Sequence, residues 1–133
     1  MPSEKSITLV DANVILRYLL KDNKELYAKA EEVFNAVFDG KAKVLLLESV
    51  LAEVVYVLQK LYKVSRSEIS EVLRELIELK GIKALNKSHL LKALEIFENK
   101  NLDFVDCLLC AYGKEREVIT FDKNLQRCLK SIP

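Results

Sequence analysis

Four acidic residues stand where a carboxylate is either well placed to bind a ligand or costly to hide. Asp11 directly follows Ile7, Thr8, Leu9 and Val10, a β-branched and apolar run that reads as a buried strand over 7–10. An acid at the carboxyl end of a strand in an open α/β sheet lies on the edge where ligands bind. It is also favoured by the positive end of the helix that follows. Asp122 repeats this arrangement after Val118, Ile119, Thr120 and Phe121. Glu53 is set in Val50-Leu51-Ala52-Glu53-Val54-Val55, and Asp106 in Phe104-Val105-Asp106-Cys107-Leu108-Leu109. Burying a carboxylate among such neighbours is expensive unless it is paired or bound to a metal. Neither stretch contains a basic residue, so the local ion pair of a helix face is missing from both.

Acids converging on one sheet edge form an oxygen-only ligand set, which suits Mg²⁺ or Mn²⁺. Such an ion activates water and stabilises a leaving oxygen in phosphodiester hydrolysis. Each acid also has a plainer reading. Asp11 alone is a helix N-cap, Asp122 before Lys-Asn a turn or cap residue, and Asp103 first of all a cap that can also reach the same site. Asn13 either orients Asp11 or caps the helix, and Thr120 either bonds beside the site or only favours a strand. Arg17, Lys123 and Arg127 are positioned either to hold phosphate or to face solvent. Cys107 and Cys110 have C-x-x-C spacing but fall inside a helix, where they read as small hydrophobes. His89 is given no role.

The elements that must position these acids alternate. After a polar lead-in over 1–6 and the first strand come helices over 13–20 and about 27–38, the second closed by Asp39-Gly40. A short apolar run at 44–47 reads as a buried parallel strand. Residues 48–62 form a helix apolar on nearly every side, as in a deep core or a partner interface. Ser65-Arg66-Ser67-Glu68 is a capping box opening a helix whose inner face is Ile69, Val72, Leu73 and Leu76. A brief strand over 82–85 and helices over 88–99, 103–115 and 123–129 follow, with 118–121 as the clearest late strand. Strands separated by helices argue a parallel sheet covered on both faces.

Composition sets the bounds. The chain has 133 residues, half of them apolar, enough for one domain with a real core. Its 21 basic and 20 acidic residues exclude a histone-like polybasic protein. Setting the four site acids aside leaves a mildly basic surface that a polyanion can approach. No apolar run is long enough to span a membrane and no secretory leader opens the sequence, so a cytoplasmic protein is expected. Three cysteines predict no disulfide framework.

The motifs now have a counterpart. D-A-N-V-I-L-R-Y-L-L at 11–20, S-V-L-A-E-V-V-Y-V-L at 49–58, L-D-F-V-D-C-L-L-C-A-Y-G at 102–113 and V-I-T-F-D-K-N-L at 118–125 resemble, in order, the four motifs of the PIN-domain family. The likeness is strongest to the VapC-type ribonuclease toxins of toxin–antitoxin pairs. The resemblance implies an α/β fold, a three-layer α/β/α sandwich with a short parallel sheet, in a single PIN-like domain over 1–133. It also implies endoribonuclease chemistry on RNA, a Mg²⁺ or Mn²⁺ cofactor, a homodimer and an antitoxin protein as partner. By motif match Asp11, Glu53 and Asp106 are the main ligands and Asp122 completes the cluster, with Asn13 and Thr120 beside it. Ala12 stands where the family often has a hydroxyl residue, and Cys107 where a small residue such as Ala is usual. Two rival readings are a catalytically inert PIN-like binding module and a phospho-acceptor receiver domain. The second would need paired acids at the first strand rather than acids spread onto helices.

Overall fold

The computed structural model describes residues 7–132, so the polar lead-in expected over 1–6 lies outside the described residues. Three short parallel strands, β1 (Ile7–Leu9), β2 (Lys43–Leu45) and β3 (Ile82–Lys83), form one sheet in the order β1-β2-β3. Thr8 is in register with Val44, and Val44 with Ile82. Val44, in the middle of the central strand, and Ile82 are almost fully buried.

Among the described residues seven helices surround the sheet: α1 (Ala12–Leu20), α2 (Lys24–Phe38), α3 (Glu48–Tyr56), α4 (Arg66–Glu78), α5 (Lys87–Asn99), α6 (Phe104–Tyr112) and α7 (Lys123–Ser131). The result is an α/β sandwich. Most helix ends obey local chemistry. Asp11, Asn23, Ser65 and Asp122 each accept a backbone N–H three residues ahead, satisfying donors that the first turn leaves free. The last residue of α3 runs into a π-helical segment, Val57–Leu61, closed by the Tyr62 N–H donating to the Val57 carbonyl. Gly40, at φ +74°, turns the chain from α2 into β2 in the left-handed region that favours glycine.

The core is one cluster of side chains from every helix. Phe34, Leu51, Ile69, Leu73, Leu90, Leu94 and Phe97 are essentially inaccessible. Val72, expected on the inner face of α4, is instead half-exposed, and Ser70 and Ile77 take the inside. The Ser70 hydroxyl is satisfied there by donating to the Leu94 carbonyl. The helix expected over 103–115 ends at Tyr112, because α7 crosses its end. A Cβ on Gly113 would run into the Leu129 side chain.

Three expectations are corrected. The late strand over 118–121 does not join the sheet: Ile119 is 83% exposed and Phe121 97%. Its hydrogen bonding is local instead, with the Asp122 N–H donating to Thr120 Oγ1 and Gln126 Nε2 to the Thr120 carbonyl. The first strand is in consequence a sheet edge, and Leu9 is 60% exposed rather than buried. Finally, Cys110 and Cys128 form a disulfide between α6 and α7, leaving Cys107 as a free buried thiol. Sequence spacing does not reveal this pair because the two helices meet only in the tertiary fold, with their Cα atoms 6.1 Å apart. Cys107 behaves as the expected small hydrophobe, its thiol pushed up to about 12 mainly by burial, so it is inert.

Arg66 fixes the approach to α6. Its Nη1 donates to the carbonyls of Phe97, Lys100 and Leu102 at 3.0, 2.9 and 2.8 Å, and its guanidinium lies 4.3 Å from the Phe97 ring centroid. These bonds take up the carbonyls at the end of α5 and in the link to Asp103. Arg66→Ala should therefore destabilise the fold by about 2 kcal/mol, the scale of a hydrogen bond from a charged donor. Arg66→Lys should recover only part of that, since an ammonium can still donate to the carbonyls but loses the flat guanidinium's contact with the Phe97 ring. Urea midpoints of the three proteins check this, and a Lys variant as stable as wild type would refute it.

Candidate functional site

The acid-bearing elements are neighbours in space: α1 packs on α3, α3 on α6, and α6 on α7. Asp11 leads from β1 into α1, and its side chain accepts the Val14 N–H at 3.1 Å. Asp122 caps α7, accepting the Leu125 N–H at 2.9 Å. The capping readings of these two residues are thus correct as far as they go. A capping carboxylate still has lone pairs free for another ligand. Asp103 occupies the N-cap position of α6, yet its side chain makes no capping bond. Asp106 is in the first turn of the same helix and half-buried.

Burial first, then the Asp122 charge, then the Asp103 charge, hold the Asp106 carboxyl above its ordinary value. Asp106, Asp122 and Asp103 therefore share one electrostatic neighbourhood. No basic side chain is paired with Asp106, Asp103 or Glu53 among the described residues. Among the described residues no three acid, His or Cys side chains converge as they stand on a point able to hold a metal ion.

Glu53 corrects a sequence argument. It is exposed on α3, whereas Leu51, Val54, Val55 and Leu58 are buried. Its sequence neighbours are apolar, but they point away from it round the helix. The cost of burial therefore gives no reason for a metal at Glu53, and what remains is its position on the helix that packs against α6.

Of the flanking residues, Thr120 steadies the loop before Asp122 through its bond to the Asp122 N–H, and Asn13 is exposed beside Asp11. Arg17 is engaged by Asp22 through two 2.8 Å bonds. Lys123 and Arg127 are exposed on α7, Arg127 donating to Asn124 Oδ1.

One polar network escaped sequence reasoning. The Tyr112 hydroxyl donates to Glu48 Oε2 at 2.6 Å and accepts from Asn86 Nδ2 at 3.2 Å, and His89 stacks on the Tyr112 ring at 4.4 Å. Donation to Glu48 raises the Tyr112 hydroxyl above its ordinary value. The network ties the start of α3, just after β2, to the end of α6. No spacing in the sequence signals it, since Glu48 and Tyr112 are 64 residues apart.

A short three-stranded parallel sheet among seven helices, among the described residues, defines an α/β protein. The chain belongs to the PIN domain family, whose sequence model matches residues 8–128. It is similar to a VapC ribonuclease of Aquifex aeolicus (strain VF5), with 25% identity over 122 residues covering 90% of each chain. No solved structure matches at a significant level. Membership in this family displaces the receiver-domain alternative. No helix among the described residues is long and apolar enough to cross a membrane.

Proposed function

We propose that the protein is a metal-dependent endoribonuclease, the toxin of a toxin–antitoxin pair acting in the cytoplasm. The observation that carries this reading is Asp106: a half-buried carboxylate without a cationic partner, flanked by Asp122 and Asp103 and held above its ordinary value, in a chain similar to a VapC ribonuclease. The like charges around Asp106 favour a cation, and the donors are all hard oxygens, the ligand chemistry of Mg²⁺ or Mn²⁺. Asp11, Glu53, Asp106 and Asp122 would hold the ion, with Asp103 beside them. A bound ion of this kind supplies a more acidic water and charge for a leaving oxygen.

The chain's own part is placement. Asp11 and Asp122, fixed as helix caps, present their carboxylates from rigid helix starts. Thr120 and the Glu48–Tyr112 bond keep the Asp122 loop and α3 in place. Lys123, Arg127 and, if released from Asp22, Arg17 are the cations available to RNA phosphates. Attack of water in line on phosphorus breaks one bridging bond, leaving a phosphate on one product end and a hydroxyl on the other. A homodimer and an antitoxin protein are the partners we propose.

Single-stranded RNA incubated with the protein and Mn²⁺ should be cut internally, and excess chelator should abolish the cleavage. Undiminished cleavage in chelator would show that the acids do not work through a metal. Binding of RNA without cleavage under every metal condition would replace the enzyme by an inert PIN-like module.

A further inference from the structure

A cavity of 350 Å³ opens between the end of α3, its π-helical continuation and the first turn of α6. Its volume falls at the small end of ligand sites, roughly 300–1,000 Å³. Ala52, Val55 and Phe104 contribute apolar lining, Tyr56 an aromatic ring, and Gln59 and Lys60 an amide and a cation. Asp103 and Asp106 line the same cavity, so it is continuous with the proposed site.

Two features of this cavity are not explained by stability. Tyr56 is 60% exposed, and no hydrogen bond or aromatic partner engages it among the described residues, so a large aromatic is spent on a surface it does not need to fill. The helix also departs from α geometry at the next residue: a π-helical segment carries Gln59 and Lys60 to the cavity rim. Such segments cost helix regularity and are frequent at functional sites.

We infer that this cavity is a nucleobase subsite for the nucleotide next to the scissile phosphate, with Tyr56 as stacking platform, Gln59 facing the base edge and Lys60 taking the adjoining phosphate. The inference rests on the ribonuclease reading and adds the residues that hold a base beside the cut. A base can enter such a cavity only when unstacked and unpaired, so the substrate is single-stranded. Aromatic stacking accepts any base, which leaves Gln59 as the side chain able to discriminate through hydrogen bonds.

The test uses a single-stranded oligoribonucleotide carrying 2-aminopurine, titrated with the full-length protein in Ca²⁺, followed by cleavage of the same RNA in Mn²⁺. Wild type should quench the fluorophore. Tyr56→Ala should bind about tenfold more weakly, on the scale of one lost base stack, with little quenching, a raised KM and a nearly unchanged kcat. Tyr56→Phe should behave as wild type, and duplex RNA should not be quenched. Because Tyr56 is exposed, both variants should melt with wild type. If Tyr56→Ala quenches and binds like wild type while cleavage proceeds, the subsite is refuted and the ribonuclease reading stands. Wild-type quenching without cleavage supports the subsite and refutes the ribonuclease. A change of light-scattering mass in Tyr56→Ala would show that this face holds a second copy of the chain, and would overturn the inference.

Discussion

Asp106→Asn should melt higher than wild type in chelator at neutral pH, yet cleave RNA at least about 100-fold more slowly, beyond the usual cost of losing a mere supporting partner. The stability effect follows from linkage. Burial and the charges of Asp122 and Asp103 raise the Asp106 carboxyl in the folded state, whereas in the unfolded chain it returns to about 3.9. Below that value both states are protonated and the folded state bears no penalty. As pH rises from the unfolded value through the raised folded one, the unfolded state releases its proton first, so stability falls. Above the folded value the loss is complete. Asn keeps the shape and carries no charge, so the variant escapes this loss and its stability advantage over wild type should grow across that window.

With Mn²⁺ present the order should reverse. Metal binding to the native state is what would stabilise wild type, and the variant should lose most of that gain together with activity. Thermal melts of both proteins between pH 3 and 7, with chelator and with Mn²⁺, provide the check. An Asp106→Asn protein that melts lower in chelator but keeps both the Mn²⁺ shift and the activity would make Asp106 a structural residue.

Opening the Cys110–Cys128 bond should cost about 3 kcal/mol, since a loop of 18 residues restricts the unfolded chain by that order. For a chain of this length the melting temperature should drop by roughly 10 °C. The expectation holds for added reductant and for Cys128→Ala alike. Both sulfurs are buried, so reduction needs local opening of α7 from α6 and should be slow in the native protein. Cys107→Ala should leave the response to reductant intact, because that thiol is not part of the bond. Thiol counting on the unfolded, unreduced protein should find one free thiol. Finding three, with melts that ignore reductant, would refute the bridge. The same bond holds α7, and with it Asp122, against the helix carrying Asp106. Reduction should therefore also shrink the stability difference between wild type and Asp106→Asn in chelator.

Much of the helical frame was legible in the chain because amphipathic periodicity and capping are local. Ser65 begins a helix because its own hydroxyl accepts the Glu68 N–H, and Asp39-Gly40 ends one because Gly40 can take a positive φ. The central strand was legible because a continuous apolar run must be buried on both faces. The four acids were legible as outliers, and their order along the chain identified the family.

Other features depend on partners distant in sequence. Val118 to Phe121 has strand-forming residues, but a strand exists only where another strand pairs with it, and here Thr120 and Gln126 satisfy the local backbone instead. Glu53 is surrounded by apolar residues in one dimension, yet helical phase turns them inward and leaves it in solvent. The Cys110–Cys128 bond and the Glu48–Tyr112 contact join helices whose meeting no short-range rule specifies. The sequence by itself determined which groups are available for chemistry and which helices carry them, because residue type and periodicity are local properties. Only the tertiary structure decided that Asp106 is half-buried with the charges of Asp122 and Asp103 acting on it, because burial and electrostatic energies depend on distances set by packing α6 and α7 together.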